Sequence, residues 1–191
     1  MSFSEALGQD GKILSGFINT SNVIIPITNV TSLQTNLNLL NSELEAVTNK
    51  QHFAEFFAIM PSDNTVAVAV GDSVDFPSDG LFFGDSIIRN GVSDFEFLLK
   101  AIGIYKISFQ CSIAEAGQLG VLLNGVLVAK SVVGKASTGG QLVCSCLVDV
   151  SVVDSTLSIV NPLGNVGALT LTPNAGGLSP VSANLLVERL F

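Results

Sequence analysis

A stripe of apolar residues with alternating spacings of three and four runs through the first third of the chain. Its members are Val30, Leu33, Leu37, Leu40, Leu44 and Val47, which we assign to heptad a and d positions. A single helix cannot cover so narrow a stripe against itself. The pattern therefore predicts a coiled-coil stalk at residues 29–50, formed with other copies of the chain. Asn29, or alternatively Thr28, is the predicted helix cap.

The segment before the stalk, residues 1–28, is predicted to be an extended connector. No charged residue occurs between positions 13 and 42. Pro26 excludes a continuous helix, and the β-branched residues favour extended structure. The candidate anchors to another copy are Ile13, Phe17, Val23, Ile24 and Ile27. A second interpretation is that this segment folds back on its own head as an edge strand.

From Phe53 onward, short β-prone runs alternate with turn residues, which is typical of strands. We predict strands at residues 56–60, 95–99, 105–114, 118–123, 126–134, 141–150, 155–160, 168–172 and 181–189. Asn124-Gly125 predicts a two-residue hairpin turn with positive φ at both positions. The run from Leu119 to Val133 is apolar on both strand faces, which favours packing between neighbouring heads. The predicted fold is mainly β: an antiparallel jelly-roll head at residues 53–191, preceded by a short coiled-coil helix.

Composition favours burial between subunits over a membrane or nucleic-acid partner. Hydrophobic residues make up 48% of the 191 residues and charged residues 13%, against about 25% charged in average soluble domains. Mean hydropathy is +0.57, yet no run offers the roughly 20 apolar residues of a membrane span. The net charge of -8 and only eight Lys and Arg exclude the basic stripe that phosphates require.

The sequence offers no catalytic, cofactor or metal site, so we expect no enzyme. His52 is the single histidine, which excludes His-paired nucleophiles within one chain, and we expect it to be exposed at the stalk–head junction. Asp72, Asp75, Asp79 and Asp85 are considered as calcium ligands, although solvated turn aspartates are the favoured interpretation. The three cysteines, Cys111, Cys144 and Cys146, are expected to be buried free thiols.

Several head segments carry a family resemblance. They are FQCSIAEAGQLGVLLNG at 109–125, VVG at 132–134, NPLGN at 161–165, ALTLTP at 168–173, PVSA at 180–183 and VERL at 187–190. Over about residues 56–191 the chain resembles the C-terminal domain of the BclA-type collagen-like glycoproteins of the bacterial spore exosporium. The resemblance implies a trimeric jelly roll like tumour necrosis factor and the complement globular head. The Gly-X-Y collagen stalk of that family is absent here, as is its proline-rich targeting motif.

Together these observations predict a structural surface protein. A homotrimer would self-assemble head-to-tail through the connector into a spore-surface fibre or appendage. The alternative is a trimeric adhesive or receptor-binding head of a spore tip, phage or viral fibre. Residues 1–7 have no basic or apolar signal region, and the expected location is the spore surface, or alternatively a virion or phage fibre. The expected partner is the chain itself, and an anchoring surface protein stays open.

Overall fold

The computed structural model describes residues 17–20, 23–48, 52–171 and 180–191, with the backbone alone for 17–29 and 46–48. The chain divides into two compact units, Met1–Thr48 and Asn49–Phe191. The first contains strands β1 (Phe17–Thr20) and β2 (Val23–Pro26), which pair antiparallel with each other, and the helix α1 (Ile27–Thr48).

Helix α1 begins earlier than predicted, so the expected cap is wrong. It starts at Ile27, which places Thr28 and Asn29 inside its first turn. The N–H groups of a first helical turn have no intrahelical partner. A helix can therefore begin directly after Pro26 without losing a hydrogen bond, because proline is tolerated at helix starts.

The second unit is built from two antiparallel sheets. Its strands are β3 (His52–Ile59), β4 (Ser78–Phe83), β5 (Ile87–Arg89), β6 (Phe97–Leu99), β7 (Gly103–Ser112), β8 (Gly117–Leu123), β9 (Val126–Leu127), β10 (Val133–Lys135), β11 (Gln141–Val150), β12 (Ser155–Val160) and β13 (Val181–Arg189). One sheet has the order β11-β7-β13-β3-β4, and the other β10-β8-β12-β6-β5, with β9 paired to β8. The chain crosses repeatedly between the sheets, as in a jelly roll. The predicted fold class is confirmed.

The core lies between the two sheets, where alternate residues of each strand point inward. Phe56 of one sheet meets Phe97 of the other, with ring centroids 4.1 Å apart. Arg89 closes one side of this aromatic cluster: its guanidinium lies over both rings, and its Nη2 donates to the Phe76 carbonyl at 2.8 Å. Asp79 neutralises the arginine. The cluster thus joins both sheets to the segment preceding β4.

The strand predictions agree with the structure where the β-prone runs are long, and they fail where a 3₁₀ turn or isolated bridges replace a continuous strand. Asn124 and Gly125 have φ values of 50° and 75°, so the predicted hairpin turn is confirmed. The predicted strand at 126–134 is interrupted by a 3₁₀ turn, because the buried Ser131 hydroxyl donates to Val128 O and accepts from Val121 N–H. Of the predicted strand at 168–172, the structure describes residues 168–171, where Leu169 and Leu171 form isolated bridges. Strands β4 and β5 were not predicted.

Candidate functional site

The candidate site is the outward side of the five-stranded sheet, named here the five-strand face. Alternate residues of its strands, such as Tyr105, Ile107 and Phe109 on β7, are buried in the core. The residues between them point away from it. One row crosses all five strands in register: Leu147, Lys106, Glu188, Phe53 and Phe83. The face therefore combines residues from distant parts of the chain.

Polar side chains in the middle of the five-strand face are paired with one another. Lys106 Nζ donates to Glu188 Oε2 at 2.7 Å, and the two side chains are partly buried. Asn184 Nδ2 donates to Glu55 Oε1 at 2.8 Å. A row away, the hydroxyls of Ser108 and Ser145 lie 3.1 Å apart. A second surface covering this region would leave few polar groups without partners, which is the condition for burying it.

The two margins of the five-strand face are apolar. On β11, Val143 and Leu147 project outward and are exposed. On the other margin, the rings of Phe53 and Phe83 stack with centroids 6.4 Å apart. The edge strand β4 also carries Leu81 and Phe82, both strongly exposed. Phe82 pairs with the core residue Ala54, so it projects from the opposite side of the sheet to Phe83. An unpaired edge with three consecutive large apolar residues is a surface that proteins normally cover.

The predicted stalk residues all lie on α1. Leu33, Leu37, Leu40 and Leu44 are 49–62% exposed in the single chain, and Val30 is partly buried. Val47 lies in the last turn. Their pairing with other copies stays a prediction.

The predicted connector anchors are divided between two strands and the start of the helix. Phe17 begins β1, Val23 and Ile24 lie on β2, and Ile27 is the first residue of α1. Ile13 lies outside the described residues. The backbone is extended at 17–20 and 23–26, as the β-branched composition indicated, and the contact with another copy stays a prediction.

His52 departs from the expected exposure. Its side chain is largely buried, because it begins β3 opposite Arg189 and packs edge-on against Phe83. Its Nδ1 accepts a hydrogen bond from the backbone N–H of Ser86 at 3.1 Å, and Asp85 Oδ1 lies 3.7 Å away. An Nδ1 that accepts leaves the proton on Nε2 when the ring is neutral. The histidine therefore fastens the β4–β5 connection to the start of β3.

The aspartates considered as calcium ligands are not grouped together in the structure. Asp79 is paired with Arg89, and Asp85 lies beside His52. No three His, Cys, Asp or Glu side chains within the described residues are grouped closely enough to hold a metal ion. The pKa of Asp75 is raised, first by burial and then by the negative charges of nearby Asp94 and Asp63.

All three cysteines are free, as expected, and face the core. Cys144 and Cys146 share one side of β11. Burial raises the pKa of Cys144 to about 12, with a further contribution from Cys146, and its Sγ donates to Ser131 O at 3.3 Å. Burial also raises the pKa of Cys111. Thiols with such pKa values remain protonated near neutrality and are poor nucleophiles.

Comparisons with known proteins give structural likenesses without sequence relatives. No protein family model matches the chain, and no curated protein matches it. A structure of murine APRIL at pH 5.0 aligns over 74% of this chain and 100% of its own, with 11% identity and a TM-score of 0.48. The globular domain of zebrafish complement 1qA aligns over 72% of this chain and 94% of its own, with 12% identity and a TM-score of 0.43. The PRD1 vertex protein P5 aligns over 73% of this chain and 97% of its own, with 16% identity and a TM-score of 0.42.

These likenesses concern the arrangement of strands. The resemblance to exosporium glycoproteins, drawn from the head segments, stays a prediction. Within the described residues, no helix has the length and apolarity to cross a membrane.

Proposed function

We propose that this protein is a structural surface protein whose homotrimers join head-to-tail into a spore-surface fibre or appendage. In this proposal α1 forms a three-stranded stalk, the five-strand face packs between heads of one trimer, and the connector links successive trimers. The protein acts by assembly, and no catalytic residue is assigned.

The exposed leucine stripe of α1 is the observation that carries the proposal. The 22-residue helix is about 33 Å long and presents four leucines at heptad spacing. Full burial of each leucine is worth roughly 1.5–3 kcal/mol. A water-exposed helix of this length is marginal alone. Association with identical stripes supplies the missing burial.

The five-strand face supports the same assembly. Lys106 and Glu188 pair with each other, as do Asn184 and Glu55, which lowers the cost of covering these groups relative to unpaired ones. Its apolar margins, on β4 and on β11, gain by burial.

The connector supports the filament. Its residues 13–28 carry no charge. Their contact with a different surface of the next trimer would be heterologous, and a contact of this kind propagates instead of closing.

Negative-stain electron microscopy of the full-length protein tests this function, with the mass of the smallest species measured by light scattering. We expect filaments with an axial repeat built from a three-chain species. A variant lacking residues 1–26, which keeps α1 whole, should give isolated short-stalked trimers. Discrete trimers from the full chain would favour a terminal adhesive or receptor-binding head. Monomers at micromolar concentration would refute both versions.

A further inference from the structure

An apolar groove lies on the other sheet, away from the five-strand face. It has a volume of about 340 Å³ and is lined by Gly71, Leu122, Leu127, Val160, Pro162 and Leu163. We name it the outer groove. None of these residues is charged, in a protein whose net charge is -8. Because the two sheets of a sandwich point outward in opposite directions, a trimer formed through the five-strand face leaves this groove uncovered.

The loop beside the groove is fixed by buried hydrogen bonds. Asn161 is fully buried, and its Nδ2 donates to Val68 O at 2.9 Å and to Gly167 O at 3.0 Å. Asn165 Nδ2 donates in turn to Asn161 Oδ1 at 2.7 Å. Leu163, between the two asparagines, is nevertheless 86% exposed. Because these hydrogen bonds fix the loop that carries Leu163, little backbone entropy remains to be lost when this side chain makes a contact.

Leu163 lies close to Gly71, on the other side of the groove. The φ of Gly71 is +95°, a conformation that favours glycine, and a Cβ at this position would lie 3.3 Å from Leu163 Cδ2. The Gly71 N–H also donates to Asn161 O at 2.8 Å. The hydrogen bond from Gly71 therefore connects the loop to the opposite side of the groove. The missing side chain leaves space beside Leu163.

Charge and size indicate the occupant. A partner at an uncharged groove on an acidic protein must offer an uncharged apolar segment. The chain has one at positions 13–42, and residues 1–16 precede the first described strand. A cavity of about 150 Å³ accommodates a benzene-sized group, so 340 Å³ has room for about two apolar side chains. Ile13 and Leu14 are adjacent in the sequence and suit this size.

We infer that the outer groove binds the connector of a second copy, with Ile13 and Leu14 as the inserted side chains. This inference rests on the proposed function and assigns the surface that receives the connector. It also accounts for the two-sided apolar run at 119–133, since Leu122 and Leu127 face the groove.

Cross-linking between two full-length variants tests the inference. Ile13→Cys protein and Leu163→Cys protein are purified separately, mixed, allowed to assemble and treated with a short bismaleimide. The matched control pairs Ile13→Cys with Val92→Cys, which is 98% exposed and lies outside the groove. We expect a heterodimer band at least tenfold stronger with Leu163→Cys than with Val92→Cys. Unmodified protein controls for the native thiols.

Electron microscopy of the same samples separates the two proposals. Filaments with no selective heterodimer would overturn the groove assignment and leave the proposed function standing. A selective heterodimer without filaments would support the contact and refute the fibre. A Leu163→Cys homodimer in place of the heterodimer would mean that two grooves pack on each other, which overturns the inference. As a second variant, Leu163→Asp should abolish filaments while trimers persist.

Discussion

Helix α1 and the core of the head use similar apolar residues in opposite ways. In the head, Phe97, Leu157 and Leu185 are completely buried by other residues of the same chain. In α1, the leucines of the stripe remain about half exposed or more. The head thus satisfies its own core, whereas the helix presents a surface that only further chains can bury.

The contrast teaches where concentration enters the stability of this protein. The contacts of a core that is closed within one chain do not change on dilution, so the cost of deleting one of them is independent of protein concentration. A helix whose burial comes from other chains is stabilised by mass action and loses its order on dilution. The two regions should therefore respond differently to dilution, charge and pH.

The largest expected effect comes from placing a charge in the stripe. Leu37→Asp removes the burial of three leucines per trimer, at about 1.5 kcal/mol or more each. That sum, about 4.5 kcal/mol, corresponds to a roughly thousandfold weaker association. Sedimentation equilibrium should show the mass falling toward one chain.

Leu39→Asp is the matched control for the stalk. Leu39 is exposed on the same helix but lies outside the a and d positions, so this variant should keep the mass of the unmodified protein. Equal dissociation of the two variants would mean that the leucine stripe does not form the contact between the helices of different chains. An unchanged mass for Leu37→Asp would assign the assembly to the head alone.

The next effect belongs to the core and should be independent of concentration. Phe97→Ala deletes a fully buried ring that contacts Phe56 and Phe76, and such deletions cost roughly 3–5 kcal/mol. Phe95→Ala, two residues away on an exposed ring, should cost less than about 1 kcal/mol. Urea unfolding monitored by circular dichroism measures both. Similar losses from the two variants would contradict the described core.

Periodicity predicted the elements that rest on local pattern. The stripe of α1 and the bounds of β11, β12 and β13 follow from spacing and turn residues alone. Strand β4 was missed because its sequence, Ser-Asp-Gly-Leu-Phe-Phe, begins with turn-forming residues and does not alternate. It forms a strand because it pairs with the edge of β3. This tertiary contact overrides the low β propensity of the segment.

The candidate site was beyond sequence reasoning for a different reason. Leu147, Lys106, Glu188, Phe53 and Phe83 form one row only through the register of five strands. No local window contains that row. The prediction that His52 is exposed was wrong for the same reason, because its partners, Arg189 and Ser86, are distant along the chain.

A smaller effect is expected from charge on the margin of the five-strand face. Val143 on β11 is 61% exposed, and Val152 in the following turn is 58% exposed. Val143→Glu should weaken the trimer about tenfold or more, because a charge without a partner would be covered. Val152→Glu should leave the association unchanged. Light scattering across a dilution series measures both, and equal effects would exclude this margin from the interface.

The smallest expected effect concerns Asp75 and arises within one chain. Burial and the charges of Asp94 and Asp63 raise the pKa of Asp75 in the folded state, so the folded state binds the proton more tightly than the unfolded state. Stability then falls as pH rises from the unfolded pKa, about 3.9, through the higher folded pKa. Asp75→Asn removes this penalty, so its urea midpoint should lie slightly above that of the unmodified protein at pH 7, with a smaller difference at low pH.

Two controls decide what the Asp75 result means. Asp72→Asn makes the same change of net charge in the same loop, so it separates the effect of this position from that of charge alone. The gain from Asp75→Asn should also be the same at tenfold different protein concentrations, since the carboxyl belongs to the head and not to the stripe of α1. A variant less stable than the unmodified protein at pH 7 would mean that the carboxylate makes a stabilising contact. A gain that changes on dilution would mean that Asp75 takes part in a contact between chains.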